Sequence, residues 1–303
     1  MSAIPGMRFL DARILRSISR IEIKARLLVE GMYASRHRCP FYGYSVEFVD
    51  HREYTAGDEP RTIDWKMLAR TERYYVKRFE MESNMNVVCL LDASASMGYP
   101  RADAGRLSKI EYGCYLAASL AYLAVRQQDS PGLVTFDRDV RDFIPPKQGQ
   151  RQLYTILGKL EALSAAAETD LCHVLKALSQ RLTRRGIVIL LSDCYGEPER
   201  VTDGVRHMAA RGHDVVVFQI LDHDEIAFPF QALTSFRDLE TGAQVMSDPL
   251  VQRRLYLERL DRFVRGVRGG CSQAGADYRL IKTTDPIEVV LRDYLLYRRA
   301  RAR

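Results

Sequence analysis

The sequence predicts an α/β fold in which a mostly parallel sheet is flanked by helices, with further elements at both ends of the chain. Three observations carry that expectation. Val87-Val88-Cys89-Leu90-Leu91, Ile187-Val188-Ile189-Leu190-Leu191 and the segment 214–221 are short, almost continuous apolar runs, the pattern of strands buried on both faces. Stretches with apolar residues at helical spacing separate them. The chain has 303 residues and is 47% hydrophobic, which is enough material for a large core.

The elements follow in order. Phe9, Ile14, Ile18, Ile21, Ala25 and Leu28 recur at helical spacing among charges and predict an amphipathic helix, or two short ones, between Phe9 and Glu30. Ser45-Val46-Glu47-Phe48-Val49 reads as extended, and Gly57-Asp58-Glu59-Pro60 as a turn. The spacing of Ile63, Trp65, Leu68, Tyr74 and Val76 decides no element. After the 87–91 strand come a helix over Lys109 to Arg126, a strand at 132–136 and a paired strand over Val140 to Ile144. Helices at 151–163 and 170–184 lead to the 187–191 strand, then a helix near 201–211 and the 214–221 strand. Thr241-Gly242 sits between two extended segments and predicts a hairpin. A helix over 249–266, a strand from Tyr278 to Ile281 and a basic helix over 286–300 complete the chain. This divides it into an N-terminal helix and extended segment (1–85) packing on the body, an α/β domain (86–248), and a C-terminal helical extension with one further strand (249–303).

The formal charge is +6, distributed unevenly. Residues 86–248 are mildly acidic, whereas 249–303 carry 13 basic and 6 acidic residues. A basic tail attracts acidic proteins, anionic lipid or nucleic acid, but an ordinary solvated helix face explains it as well. The six cysteines occur singly, without the paired spacing of a zinc site or disulfide framework, and suit a reducing compartment. Arg13, Arg16, Arg20, Glu22 and Lys24 interrupt the first apolar residues, so no signal peptide and no transmembrane segment is expected. The expected location is the cytoplasm, with membrane association only through a partner.

The chemistry concentrates where the first buried strand ends. Asp92, Ser94 and Ser96 follow it at i, i+2 and i+4, at the edge where open α/β sheets bind ligands. Asp193 leaves the 187–191 strand in the same sense, so the two carboxylates converge if both strands are parallel. Thr169, just before the 170–184 helix, offers a hydroxyl that either caps the helix or joins them. Two carboxylates and three hydroxyls form an incomplete oxygen shell suited to a hard divalent cation, Mg²⁺ above all, with Mn²⁺ or Ca²⁺ as alternatives. Taken alone, Ser94 and Ser96 equally fit a helix cap with satisfied loop amides.

This pattern resembles the metal-ion-dependent adhesion site (MIDAS) of von Willebrand factor A domains. The chain is more similar still to the bacterial DUF58 family. The likeness rests on Glu47-Phe48, Arg52-Glu53-Tyr54, Gly57-Asp58, Arg61-Thr62-Ile63-Asp64-Trp65 and Ala69-Arg70 upstream. Downstream it rests on Phe228-Pro229-Phe230, Asp238-Leu239-Glu240-Thr241-Gly242 and Asp277-Tyr278. The resemblance implies a von Willebrand factor A-like, Rossmann-like core with family-specific elements at both ends. It implies a metal held by Asp92, Ser94, Ser96, Thr169 and Asp193, and an open position filled by an acidic side chain of a partner protein. Because DUF58 proteins commonly accompany MoxR-type AAA+ ATPases, it also implies an adaptor or chaperone-like role beside such an ATPase in complex assembly.

The expected function is therefore divalent-metal-dependent protein–protein interaction, without catalysis and without a small-molecule substrate. A Mg²⁺-dependent phosphoryl-transfer or hydrolytic enzyme is the first alternative. Position 94 is Ser where an Asp-x-Asp phosphatase motif needs its second carboxylate, and no nucleophile or general base stands out. Nucleic-acid binding is the second alternative, resting on a pI near 9.0 and the terminal arginines, with no recognition motif to support it. His173 reads as a surface histidine and Asp170 as a helix cap. Arg52, Asp58, Arg61, Asp64, Trp65 and Arg70 read either as a partner-facing patch anchored by Trp65 or, preferentially, as an internal network with Trp65 buried.

Overall fold

A computed structural model describes residues 45–55, 63–71, 73–82, 85–100 and 106–301. The helix expected between Phe9 and Glu30, the turn at Gly57–Pro60, and Asp58 and Arg61 lie outside the described residues. The chain forms two compact units, one comprising residues 36–84.

In that smaller unit β1 (Ser45–Glu53) and β2 (Tyr75–Glu82) pair antiparallel, with a bulge between Phe48 and Asp50, and α1 (Trp65–Thr71) lies between them in sequence. An isolated bridge joins Ile63 to Val76, and these two side chains are buried. Asp64 is buried beside them and accepts the Met67 N–H at 3.3 Å, starting α1. Trp65 is 62% exposed, which corrects the expectation of a buried tryptophan. The Ile63–Val76 pair takes the apolar contact, and Trp65, at the first position of the helix, is left facing solvent.

The larger unit is the α/β fold that the sequence predicts. In order it contains β3 (Asn86–Asp92), α2 (Lys109–Arg126), β4 (Ser130–Phe136), β5 (Val140–Ile144), α3 (Gln150–Glu161), α4 (Leu171–Arg181) and β6 (Gly186–Ser192). Then follow α5 (Pro198–Ala210), β7 (Asp214–Leu221), α6 (His223–Ala227), β8 (Thr234–Arg237), β9 (Gln244–Ser247), α7 (Pro249–Gln273), β10 (Asp277–Lys282) and α8 (Ile287–Arg301). One sheet runs β10-β7-β6-β3-β4-β5, parallel throughout except for β5, and β8–β9 form a separate antiparallel hairpin.

Strand alternation divides the core between the two faces of the sheet. Val87, Cys89 and Leu91 of β3 meet Leu116, Leu120 and Leu291, while Val88 and Leu90 turn to Leu175, Val205 and Val267. Helix α7 continues seven residues past its expected end, to Gln273, although Gly266, Gly269 and Gly270 disfavour helix by propensity. Packing overrides propensity there: a Cβ on Gly270 would collide with Thr202 of α5, so the glycine is what lets the two helices approach.

Sheet order also creates the crevice. From β3 the chain passes to β4 and β5 on one side, and from β6 to β7 and β10 on the other. The loops leaving β3 and β6 therefore diverge, opening a space beyond their carboxyl ends. Among the described residues no helix is long and apolar enough to cross a membrane.

Candidate functional site

Asp92 is the last residue of β3 and is fully buried, as is Asp193 immediately after β6. The Asp92 carboxylate accepts the Ser94 N–H at 2.9 Å on one oxygen and the Ser192 hydroxyl at 2.6 Å on the other. Ser192 in turn accepts the Cys194 N–H at 2.8 Å. Cys194 itself adopts a left-handed backbone, φ 59°, which bends the chain sharply after Asp193.

The serines do not behave as caps. Ser94 precedes a 3-10 turn, Ala95–Gly98, yet its side chain makes no capping bond there and instead lies 3.1 Å from the Ser96 hydroxyl. Backbone bonds from Ala95 N–H to Ala167 O (2.8 Å) and from Ala166 N–H to Ala93 O (2.9 Å) clamp this loop to the segment that carries Thr169. Asp170, not Thr169, caps α4, accepting the His173 N–H at 3.1 Å. The Thr169 hydroxyl donates to the Asp137 carbonyl at 3.5 Å, the outer limit of a hydrogen bond, and so is scarcely committed. His173 is exposed, 3.6 Å from Asp139 at the surface.

Besides Glu225, three residues described with the site went unrecognised in the sequence. Ser192 is one. The second is Lys109, wholly buried at the first position of α2, where its ammonium meets Asp193 at 2.9 Å and Glu225 at 2.7 Å. A cation at a helix N-terminus opposes the helix dipole. Burial also works against its charge, but Asp193 and Glu225 outweigh that and hold its pKa above the usual lysine value. Its ring neighbour Tyr195 lies 4.8 Å below the ammonium. Glu225 is fixed by a capping box, accepting the Asp222 N–H at 2.7 Å at the start of α6.

The third is Glu240, at the tip of the β8–β9 hairpin. The Asp238 carboxylate accepts the Glu240 N–H at 2.9 Å and the Thr241 hydroxyl at 2.7 Å, and Gly242 closes the turn at φ +74°. Burial raises the pKa of the Glu240 carboxyl; the Ser96 hydroxyl and the Thr169 backbone N–H act as donors that favour its charged form, and the Asp193 charge opposes it. Its Oε1 is buried without a hydrogen-bond partner.

The electrostatics are those of excess negative charge. Burial, and then the neighbouring Asp193 charge, push the Asp92 carboxyl up to about 7. Asp92, Asp193, Glu225 and Glu240 are served by one buried cation, Lys109, among the described residues. Among those residues no group of three or more His, Cys, Asp and Glu side chains is disposed to hold a metal ion. Any cation here would therefore depend on the hydroxyls of Ser94, Ser96 and Thr169 beside the two aspartates. The donor chemistry of those five oxygens fits a hard cation.

Curated relatives include the uncharacterized protein Rv1480 of Mycobacterium tuberculosis (strain H37Rv) and the uncharacterized protein Mb1516 of Mycobacterium bovis. Each is 23% identical over 235 residues, covering 77% of this chain and 73% of the relative. Among solved structures, BatB from Bacteroides thetaiotaomicron aligns at 14% identity and TM-score 0.47 over 72% of this chain and 99% of that one. The VWA domain of SpRpn10 aligns at 9% identity and TM-score 0.39 over 68% and 93%. The profile described as "Protein of unknown function DUF58" matches residues 50–261, and the chain belongs to the DUF58 family.

Proposed function

We propose that this protein is an interaction module that grips an acidic side chain of a partner protein through a divalent cation, Mg²⁺ in the first instance, held by Asp92, Ser94, Ser96, Thr169 and Asp193. The observation that carries the reading is the meeting of Asp92 and Asp193 beyond the carboxyl ends of two parallel strands, with two serine hydroxyls 3.1 Å apart beside them and too little buried positive charge to balance them. The cation would supply electrostatic anchoring. Selectivity would come from contacts around it, and the hairpin and α7 leave Leu233, Val245, Met246, Leu250 and Val251 exposed for that purpose.

On the family resemblance, the partner is a MoxR-type AAA+ ATPase and the role is adaptor or chaperone-like, without catalysis. The test is binding of a purified MoxR-type ATPase from the same organism, measured in Mg²⁺ and in EDTA, for wild type and Asp92→Ala. Binding lost on chelation and on substitution is expected; equal binding in all four conditions overturns the reading.

A further inference from the structure

Lys109 forms a salt bridge to Asp193, one of the proposed ligands of the cation, and its position is built. Ser108 caps α2 directly ahead of it, and its own N–H donates to the Tyr99 carbonyl at 2.8 Å. Neither its side chain nor that of Asp193 has any solvent exposure. The ammonium is divided between two carboxylates, 2.9 Å from Asp193 and 2.7 Å from Glu225, above the ring of Tyr195. The other Asp193 oxygen accepts the Tyr195 N–H at 3.2 Å, so both oxygens are engaged within the chain.

An ammonium buried at a helix N-terminus is opposed by desolvation and by the helix dipole. A fold that holds it there keeps a positive charge one hydrogen bond away from a carboxylate that a divalent ion would use. Two like charges drawn to one buried carboxylate repel each other with little screening. The ammonium and the ion therefore compete for Asp193. Glu225 sets the balance, because it is the second carboxylate on which the ammonium rests.

We propose that Lys109 is a positioning residue that sets the affinity of the cation site, its ammonium neutralising Asp193 while the ion is absent and shifting its weight to Glu225 when the ion binds. This rests on the cation reading above. It goes further in naming the group that limits how tightly the ion is held.

Mn²⁺ is the probe, and its affinity is measured by titration calorimetry in the full chain as wild type, Lys109→Met, Glu225→Gln and Asp92→Ala. Far-ultraviolet circular dichroism and melting in EDTA establish which variants fold. Methionine keeps the length of the lysine stem without its charge, and glutamine keeps an oxygen for the Asp222 N–H of the capping box. Lys109→Met is expected to bind Mn²⁺ about tenfold more tightly, and Glu225→Gln about threefold more weakly. The opposite signs are the signature, since a lysine that merely propped the site would weaken binding when removed. Equal or weaker binding in folded Lys109→Met overturns the proposal while leaving the cation site intact. Where Lys109→Met does not fold, equal or tighter binding in Glu225→Gln overturns it instead. Absence of Mn²⁺ binding in folded wild type, or binding unchanged in Asp92→Ala, overturns the cation reading and this proposal with it.

Discussion

Opposite ends of the same strands each bury a carboxyl group, and the two groups differ in company. At the amino end Asp129, just before β4, accepts the Met85 N–H at 3.0 Å and ties the entry of β3 to that of β4. Burial pushes its carboxyl up to about 7, the same value reached by Asp92 at the carboxyl end. Asp129 obtains relief from a single proton, because a neutral carboxyl still accepts the Met85 bond. Asp92 has the Asp193 charge beside it, and Asp193 in turn shares the Lys109 ammonium with Glu225. Desolvation alone raises a carboxyl. What distinguishes a candidate site is that several carboxylates and hydroxyls share one space.

The largest blow to this contrast falls on its cation. Lys109→Met leaves Asp193 and Glu225 buried together without their partner and is expected to lower stability by about 3–5 kcal/mol in urea denaturation with EDTA present. A midpoint equal to wild type would mean that the carboxyl end carries no more electrostatic load than the amino end.

Next comes Asp129. Between its ordinary value of 3.8 and about 7, the folded protein holds a proton that the unfolded chain has already lost, so this residue's contribution to stability falls as pH rises through that window. Asp129→Asn stays neutral and removes the fall. Its advantage over wild type should grow from near zero at pH 4 to on the order of 2–4 kcal/mol at pH 8, read as the difference in denaturation midpoints. A pH-independent difference would separate Asp129 from the buried-carboxyl description.

Smaller in size, Asp92→Asn removes one of two facing charges while keeping an oxygen for the Ser94 N–H. In EDTA it should match or exceed wild type by about 1 kcal/mol. It should also lose the rise in melting temperature that Mg²⁺ is expected to give the wild type. Asp238→Ala has the smallest effect, about 1 kcal/mol confined to the hairpin tip. Hydrogen exchange at Glu240 and Thr241 should quicken while β3 and β6 stay protected; uniform quickening would show that the tip is integral to the core.

The strands β3, β6 and β7 were legible because residues buried on both faces read as unbroken apolar runs, and α2 because Lys109 to Arg126 reads as an apolar helix; the Ser108–Glu111 capping box that starts it is seen in the structure. Asp92 and Asp193 were legible for the same reason, since each ends such a run. Lys109 was not: a lysine in a first helical turn reads as a solvated charge, and its burial depends on Asp193 and Glu225, which only the tertiary fold brings to it. Glu240 stood in a turn that the sequence does reveal through Thr241-Gly242, but spacing does not encode which way a turn residue points. Trp65 failed in the opposite direction, because hydrophobicity gave no means of deciding between two buried neighbours and one exposed helix start.

The close approach of α5 and α7 has a last consequence. A Cβ at Gly270 would run into the Thr202 side chain, so no residue larger than glycine fits there without one of the two helices moving. Tyr256, on which Phe228 at the root of the β8–β9 hairpin stacks, belongs to the same helix α7. The seam thus acts as a spacer, setting the position of a helix from which the hairpin is hung.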